Sequence, residues 1–128
     1  MASSALDSHV EAFILNCINS VEQFEILLLL RQTHELDAET INRQLRTSVT
    51  SVEKRLEDLA RKNLISKQET GGRTSFFYDP PERYQAIIDQ LVILYTTHRV
   101  AIINLIFSQP QDSLKDFSEA FRLREKDK

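Results

Sequence analysis

The chain has 128 residues, 41% of them hydrophobic and 27% charged, with a formal net charge of −3. This balance excludes a disordered chain, and two glycines with three prolines mark too few turns for a sandwich or barrel of short strands. The single Cys17 excludes a disulfide framework and a multi-cysteine zinc site. Because residues 1–8 also lack the features of a signal peptide, we expect a cytoplasmic protein.

Two helices are expected in the first 32 residues. An apolar stripe at helical spacing predicts the first, from about Asp7 to Asn19; it comprises Val10, Phe13, Ile14, Cys17 and Ile18. Ser20 followed by Gln23 fits a capping box for the second helix, which is expected to reach about Gln32. The run from Ile26 to Leu30 makes that helix apolar nearly all round, which is typical of a helix in the middle of a domain.

Two shorter helices and a hairpin follow. Asp37 suits the N-cap of a third helix, Ala38 to Leu45. After a turn, a fourth helix is expected from about Val49 to Lys62, with a buried stripe of Val52, Leu56 and Leu59. Residues 65–69 and 74–78 have strand composition, and both glycines of the protein stand between them. Because Gly71 and Gly72 tolerate the positive φ of a two-residue turn, this segment is predicted to be a β-hairpin.

A long C-terminal helix is expected next. Asp79 suits its N-cap and Glu82 its third position, and the helix should run to about Ser108, before Pro110. Asp112 or Ser113 is then expected to cap a last helix bearing the apolar residues Leu114, Phe117 and Phe121, followed by a charged tail over 122–128.

The long helix carries a heptad pattern over three full heptads. Its positions are Tyr84, Ile88, Leu91, Tyr95, His98, Ile102 and Leu105. Such a seam favours a homodimer formed by this helix, joined by the first and last helices. The alternative is that the same residues pack against the first and last helices of their own chain.

The order helix, helix, turn, helix, hairpin over residues 20–79 resembles the winged helix-turn-helix superfamily of transcriptional regulators, in the style of the MarR, PadR and TrmB groups. The matching segments are 26–30, 37–45 and 49–65, and the most specific part is the fourth helix with its exit at Leu64 and Ile65. Asn63 replaces the glycine usual in that family, but Asn also tolerates a left-handed helix cap. The resemblance covers about half of the chain.

The resemblance implies a mainly α fold with a small β-hairpin wing and a long C-terminal dimerisation helix. Residues 1–19 would join the dimer region, 20–79 would form the winged domain, and 80–128 would form the dimerisation region. It further implies sequence-specific binding of double-stranded DNA, with the helix at about 49–62 in the major groove and the hairpin at about 65–78 as the wing. No catalytic motif, metal site or cofactor is expected, and the chain is predicted not to be an enzyme.

The side chains expected at DNA come from the turn, the fourth helix and the hairpin. On a helical wheel Thr50 and Lys54 point directly away from the core, and Ser51 and Arg55 lie on the flank. The full set of candidates is Arg43, Arg46, Thr47, Ser48, Thr50, Ser51, Lys54, Arg55, Lys67 and Arg73. Further along the fourth helix, Glu57 and Asp58 are expected to pair with the bases four positions later, Arg61 and Lys62.

The charge distribution leaves a second function open. Residues 1–30 carry four acids and no Lys or Arg, whereas residues 31–74 carry nine bases and seven acids, a net of +2. This small excess supports DNA binding only weakly. The net charge of −3 and Glu53 on the fourth helix favour the alternative, a winged-helix module that binds a protein partner, as an adaptor or anti-regulator, instead of DNA.

Overall fold

The computed structural model describes residues 6–108, so the predicted helix bearing Leu114, Phe117 and Phe121 lies outside the described residues. In chain order the elements are α1 (Ser8–Cys17), α2 (Val21–Thr33), β1 (Glu35–Leu36), α3 (Ala38–Leu45), α4 (Val49–Arg61), β2 (Ile65–Thr70), β3 (Arg73–Tyr78), α5 (Glu82–Thr97) and α6 (Arg99–Phe107). Within 6–108, no single helix is long and apolar enough to cross a membrane. Two pairs of consecutive helices, each sharply bent, reach the required length and apolar composition together, but meet no other criterion for a membrane span.

Side-chain caps start the first four helices. The Ser20 hydroxyl accepts from the Gln23 backbone N–H at 3.0 Å, and the Asp37 carboxylate accepts from Thr40 at 2.8 Å, which confirms both predicted caps. Asp7 and Ser48 cap α1 and α4 in the same way. Each bond satisfies one of the N–H groups that a helix start leaves unpaired. The Gln23 side chain accepts from the N–H of Asn19 at 2.8 Å, one residue earlier than a standard capping box.

The hairpin is confirmed, and a third strand joins it. β2 and β3 pair antiparallel from Ile65 opposite Tyr78 to Thr70 opposite Arg73. Gly71 and Gly72 form the turn with φ of 60° and 79°, the region that a two-residue hairpin turn requires. The two-residue strand β1, which no pattern in the sequence predicts, pairs with β3 and gives the sheet order β1-β3-β2.

The core forms around α2, as its composition predicts. Phe24, Ile26, Leu27 and Leu30 are fully buried, and α2 contacts α3, α4 and β3. The α4 stripe of Val52, Leu56 and Leu59 is also fully buried against this centre. Asn63 ends α4 with φ of 65°, and the N–H groups of Asn63 and Leu64 donate to the last carbonyls of the helix. The asparagine therefore serves as the left-handed cap that glycine commonly provides.

The prediction of one long C-terminal helix is wrong. α5 ends at Thr97, α6 begins at Arg99, and the two axes meet at 111°. His98 between them has φ −129° and ψ 41°, outside the helical region. The hydroxyls of Thr96 and Thr97 both donate to the Ile93 carbonyl, so they compete for a helical acceptor at this break. The bend turns α6 back onto α1, where Ile102 and Ile106 become fully buried.

The helix break corrects the predicted dimer seam. Ile88, Leu91 and Ile102 are fully buried within their own chain, as the intrachain alternative expects. Tyr84 packs edge-on against Phe13 with ring centres 5.1 Å apart, and Tyr95 packs edge-on against Phe24 at 4.9 Å. Leu105 is half-buried and His98 is exposed. These residues therefore do not form one continuous exposed stripe.

The predicted N-cap of α5 is also wrong. Pro81 occupies the cap position, without a side-chain hydrogen bond, and Glu82 is the first helical residue. Asp79 instead closes the sheet, because its backbone N–H donates to the Leu64 carbonyl at 3.1 Å.

Candidate nucleic-acid interface

The corner between α3 and α4 is held by a side chain from α3. Arg46 takes the left-handed conformation, with φ of 57°, and its N–H donates to the Asn42 carbonyl. The Asn42 side chain accepts from the N–H of Thr47 at 3.1 Å, and Ser48 then caps α4. These local bonds fix the angle at which α4 leaves the turn. They also leave Arg43, Arg46 and Ser48 exposed.

A groove separates the outward face of α4 from the wing. Its volume is about 790 Å³, and it lies between the start of α3, α4 and the strands β2 and β3. Four of the predicted DNA contacts line it: Thr50, Lys54, Lys67 and Arg73. Its carboxylates are Asp37, Glu39, Glu53 and Glu57. Acidic and basic side chains are therefore mixed on this surface, whereas a typical DNA-binding surface is a continuous basic strip.

The two bases of the wing are paired with acids of the helices. The Lys67 ammonium donates to Glu57 at 2.9 Å, and this bond raises the pKa of Lys67. The Arg73 guanidinium donates to Asp37 at 3.3 Å. Hydrogen bonds from Thr40, and then Arg73, lower the pKa of Asp37. Because the Arg73 side chain is 79% exposed, this ion pair is screened by water and can exchange for another anion at little cost.

The flank of α4 faces α2 instead of solvent. Here the hydroxyl of Ser51 donates to Glu22 at 2.7 Å, and Thr47 approaches the same carboxylate at 3.5 Å. The Arg55 guanidinium lies 4.0 Å from Glu22, and its side chain is only 16% exposed. Three of the ten predicted DNA contacts, namely Thr47, Ser51 and Arg55, are therefore gathered around one carboxylate of α2.

A second carboxylate joins the end of α4 to the junction of α1 and α2. Asp58 accepts hydrogen bonds from the side chains of Asn19 and Gln23, both at 2.9 Å. Lys62 lies 2.7 Å from the same oxygen, as its i+4 position predicts. The predicted pairing of Glu57 with Arg61 is wrong, because Arg61 pairs with Asp58 and Glu57 accepts from Lys67. Burial alone raises the pKa of Asp58, but the hydrogen bonds from Lys62, Gln23 and Arg61 outweigh it, so the pKa is lowered.

The sequence does not predict Glu22, Gln23 and Asn19 as neighbours of α4. Their bonds to α4 and to Thr47 just before it join residues 25 to 39 positions apart, and no helical or strand period links such positions. One feature of the sequence could have indicated these contacts. A glutamine in the first turn of a helix that is buried in the middle of a domain needs hydrogen-bond partners from neighbouring elements. Gln23 is in fact fully buried, and its amide donates to Asp58 and, at 3.3 Å, to the Arg55 carbonyl.

The described residues provide no obvious metal centre. Within 6–108 no group of three or more His, Cys, Asp or Glu side chains is placed to hold a metal ion. Cys17 is buried, and this burial raises the pKa of its thiol. A thiol in this setting is a weak nucleophile and packs as a small apolar group.

A central helix, a two-helix corner and a two-stranded wing together define a winged helix-turn-helix domain. Three solved structures share this architecture. HlyU from Vibrio cholerae has a TM-score of 0.57 at 22% identity, over 70% of this chain and 95% of HlyU. The winged helix-turn-helix domain of Mb0332 from Mycobacterium bovis has a TM-score of 0.56 at 19% identity, over 77% of this chain and 93% of that domain. Sco5413 from Streptomyces coelicolor, a MarR family transcriptional regulator, has a TM-score of 0.54 at 17% identity, over 91% of this chain and 80% of Sco5413.

No model of a known protein family matches the chain, and no curated protein matches it either. At identities below 25%, the structural likeness establishes the fold alone. The predicted winged helix-turn-helix architecture is confirmed at that level.

Proposed function

We propose that this protein is a sequence-specific DNA-binding transcriptional regulator that acts as a homodimer in the cytoplasm. The observation that carries the proposal is the joint placement of Thr50 and Lys54, exposed on α4, and Arg73, exposed on the wing, along one groove. The first half of a recognition helix enters the major groove, while a wing contacts the neighbouring backbone or minor groove. The Mb0332 domain, described as homodimeric and DNA-binding, supports this function for the shared fold.

In the proposed complex, each predicted DNA contact that is exposed has its own role. Lys54 and Thr50 read base edges in the major groove. Ser48 and the N-terminal N–H groups of α4 bind a phosphate. The cations at the turn and wing hold the duplex in register through phosphates, and they are Arg43, Arg46, Lys67 and Arg73. Regulation is steric, since a protein seated on a promoter changes access for the polymerase.

The proposed dimer uses apolar side chains that are exposed among the described residues. The exposed fractions of Ile93, Val100 and Phe107 are 66%, 71% and 58%, and Leu15 of α1 is 47% exposed. All belong to α1, α5 and α6, which pack on one another. Burying such side chains against a second copy is favourable. It would also present two α4 helices to half-sites about one DNA turn apart.

Substitution of the groove bases tests the proposed DNA interface. A cognate duplex is first selected from fragments of the host genome by the wild-type protein. Lys54→Ala is expected to weaken binding to it by about 1–3 kcal/mol and to relax the preference at one base pair, and Arg73→Ala to weaken all duplexes alike. Arg83→Ala, an exposed base on α5, is the matched control and should bind as wild type does. Wild-type affinity in the Lys54→Ala, Arg73→Ala double variant would refute the interface.

A protein-binding module is the second candidate, and the groove carboxylates favour it. Within the described residues neither Glu39 nor Glu53 is paired with a base, and both line the groove. Phosphates would be repelled there, whereas a basic protein segment would be attracted. Failure of the well-folded protein to bind any DNA at low salt would favour this candidate over the first.

A further inference from the structure

We infer that Glu22 determines DNA specificity by holding Ser51 and Arg55 away from the duplex, an inference that rests on the proposed function. Without this carboxylate, α4 would offer a further guanidinium and hydroxyl to any phosphate within reach. With it, the contacts that α4 itself makes to DNA are restricted to its N-terminus and its outward face.

The geometry gives Glu22 both the position and the spacing for this role. Glu22 lies in the first turn of α2, where the helix dipole favours a carboxylate. Ser51 and Arg55 lie one turn apart on α4, and Thr47 lies in the turn just before that helix, so all three side chains reach the same carboxylate. One carboxylate oxygen lies 3.5 Å from the Thr47 hydroxyl, and the other takes the Ser51 hydroxyl at 2.7 Å and faces the Arg55 guanidinium at 4.0 Å.

The negative charge of Glu22 is not what holds α4 in place. Gln23, fully buried beside it, donates to the Arg55 backbone carbonyl and to Asp58, and Asn19 donates to Asp58 as well. The helix is also anchored by its buried apolar stripe. The charge of Glu22 acts on the side chain of Arg55, since an Arg released toward DNA would contact phosphates, which carry no direct sequence information.

The substitution Glu22→Gln isolates the charge. Glutamine keeps the size and an oxygen that accepts from Ser51, so the fold should be retained, and the thermal midpoint should fall only by the small amount that the lost helix-dipole interaction contributes. Binding to the selected duplex and to a random-sequence duplex is measured over a range of salt concentrations. We expect E22Q to bind the random duplex more tightly, with a salt slope steeper by about 0.9 for one added phosphate contact. The ratio of selected to random affinity should fall.

Two further variants make the test specific. Glu25→Gln is the same change one turn along α2, where the carboxylate faces Tyr95 and Arg99, and it should alter neither slope nor ratio. Arg55→Ala introduced into E22Q should remove the gain, and it should have a larger effect there than in the wild-type protein.

The outcomes separate this inference from the function on which it rests. Equal affinities and slopes for wild type and E22Q, with clear binding by both, would overturn the role of Glu22 alone. Weaker binding of both duplexes by E22Q, with a thermal midpoint lowered well beyond the helix-dipole effect, would also overturn it, because Glu22 would then be only structural. Failure of both proteins to bind any duplex at low salt would overturn the DNA-binding function itself.

Discussion

At the scale of single residues, the Asp58 carboxylate contacts four polar side chains within the described part of the chain. It joins α4 to the α1–α2 junction through Asn19, Gln23 and Lys62, and its side chain is only 14% exposed. The sequence predicted the contact with Lys62, because helical spacing determines it. It could not predict the contacts with Asn19 and Gln23, since these depend on how α2 crosses α4. The same limit applies to Glu22 and Arg55.

Replacing Asp58 by Asn is expected to destabilise the fold. The change leaves Lys62 and the buried Gln23 amide without their charged acceptor, at a cost of about 1–3 kcal/mol in the free energy of unfolding. Denaturant titration at pH 7 measures it. The exposed carboxylate of Asp89, paired with Arg31, provides the control Asp89→Asn, which should cost no more than about 1 kcal/mol. Equal costs for the two variants would contradict the central role of Asp58.

The contribution of Asp58 should depend on pH in one direction. Its pKa in the folded protein lies below its value of 3.8 in the absence of the fold. The unfolded state therefore takes up the proton first, and the stabilisation is present above pH 3.8 and is lost as the pH falls through the folded pKa. The stability difference between wild type and D58N should shrink below about pH 4. A difference that stayed constant or grew toward acid pH would show that the carboxylate charge is not responsible.

At the scale of elements, the sequence predicted what depends on caps, periods and turn residues. Four helices and the hairpin begin and end close to their expected positions for that reason. β1 was missed because two residues become a strand only by pairing with β3, opposite Phe76 and Phe77. The break at His98 was missed because no glycine or proline marks it. It follows from the burial that α6 gains by folding back on α1.

The wing turn should be sensitive to any added side chain. Gly71 has φ of 60°, and a Cβ there would meet no atom within 4 Å, so the strain comes from the backbone alone. We expect Gly71→Ala to lower stability by about 1 kcal/mol, as for a residue forced into the left-handed region. Thermal unfolding measures it, with Gln68→Ala on the exposed face of β2 as control. A G71A protein as stable as the wild type would argue against this turn.

The fold-back of α6 predicts which of its residues stabilise the chain itself. Ile102 is fully buried and Val100 is 71% exposed. Ile102→Ala should therefore cost about 2–5 kcal/mol of unfolding free energy, and Val100→Ala far less. The comparison is made by denaturant titration at a low protein concentration. If the helix were continuous and Ile102 lay in a dimer seam, I102A would mainly shift the dimer equilibrium instead.

At the scale of the whole molecule, the exposed apolar surface of α5 and α6 predicts self-association. The wild-type protein is expected to sediment at micromolar concentration as a dimer of its 14.8 kDa chain. A charged side chain in an apolar interface is unfavourable, so the double variant Val100→Glu, Phe107→Glu should sediment as a monomer with its thermal midpoint little changed. A wild-type protein found only near 15 kDa would contradict the homodimer.

The acidic side chains of the protein compete with DNA phosphates for the basic side chains of the wing. A net of −3, with Glu57 and Asp37 already paired to the wing bases, sets phosphate binding in competition with internal ion pairs. A DNA complex therefore requires Lys67 and Arg73 to exchange carboxylates for phosphates. The exposure of Arg73 makes this exchange inexpensive, whereas the partly buried Arg55 remains with Glu22.

The salt dependence of binding by the full wild-type chain tests the DNA-binding function most directly. Affinity for genomic DNA fragments is measured from low to physiological salt, and the logarithm of the association constant is plotted against that of the salt concentration. Four phosphate-binding cations in each protomer predict a slope of about −3.6 per protomer, at about −0.9 per contact. No binding at low salt, or a slope near zero, would contradict the account and point to a protein partner for the groove.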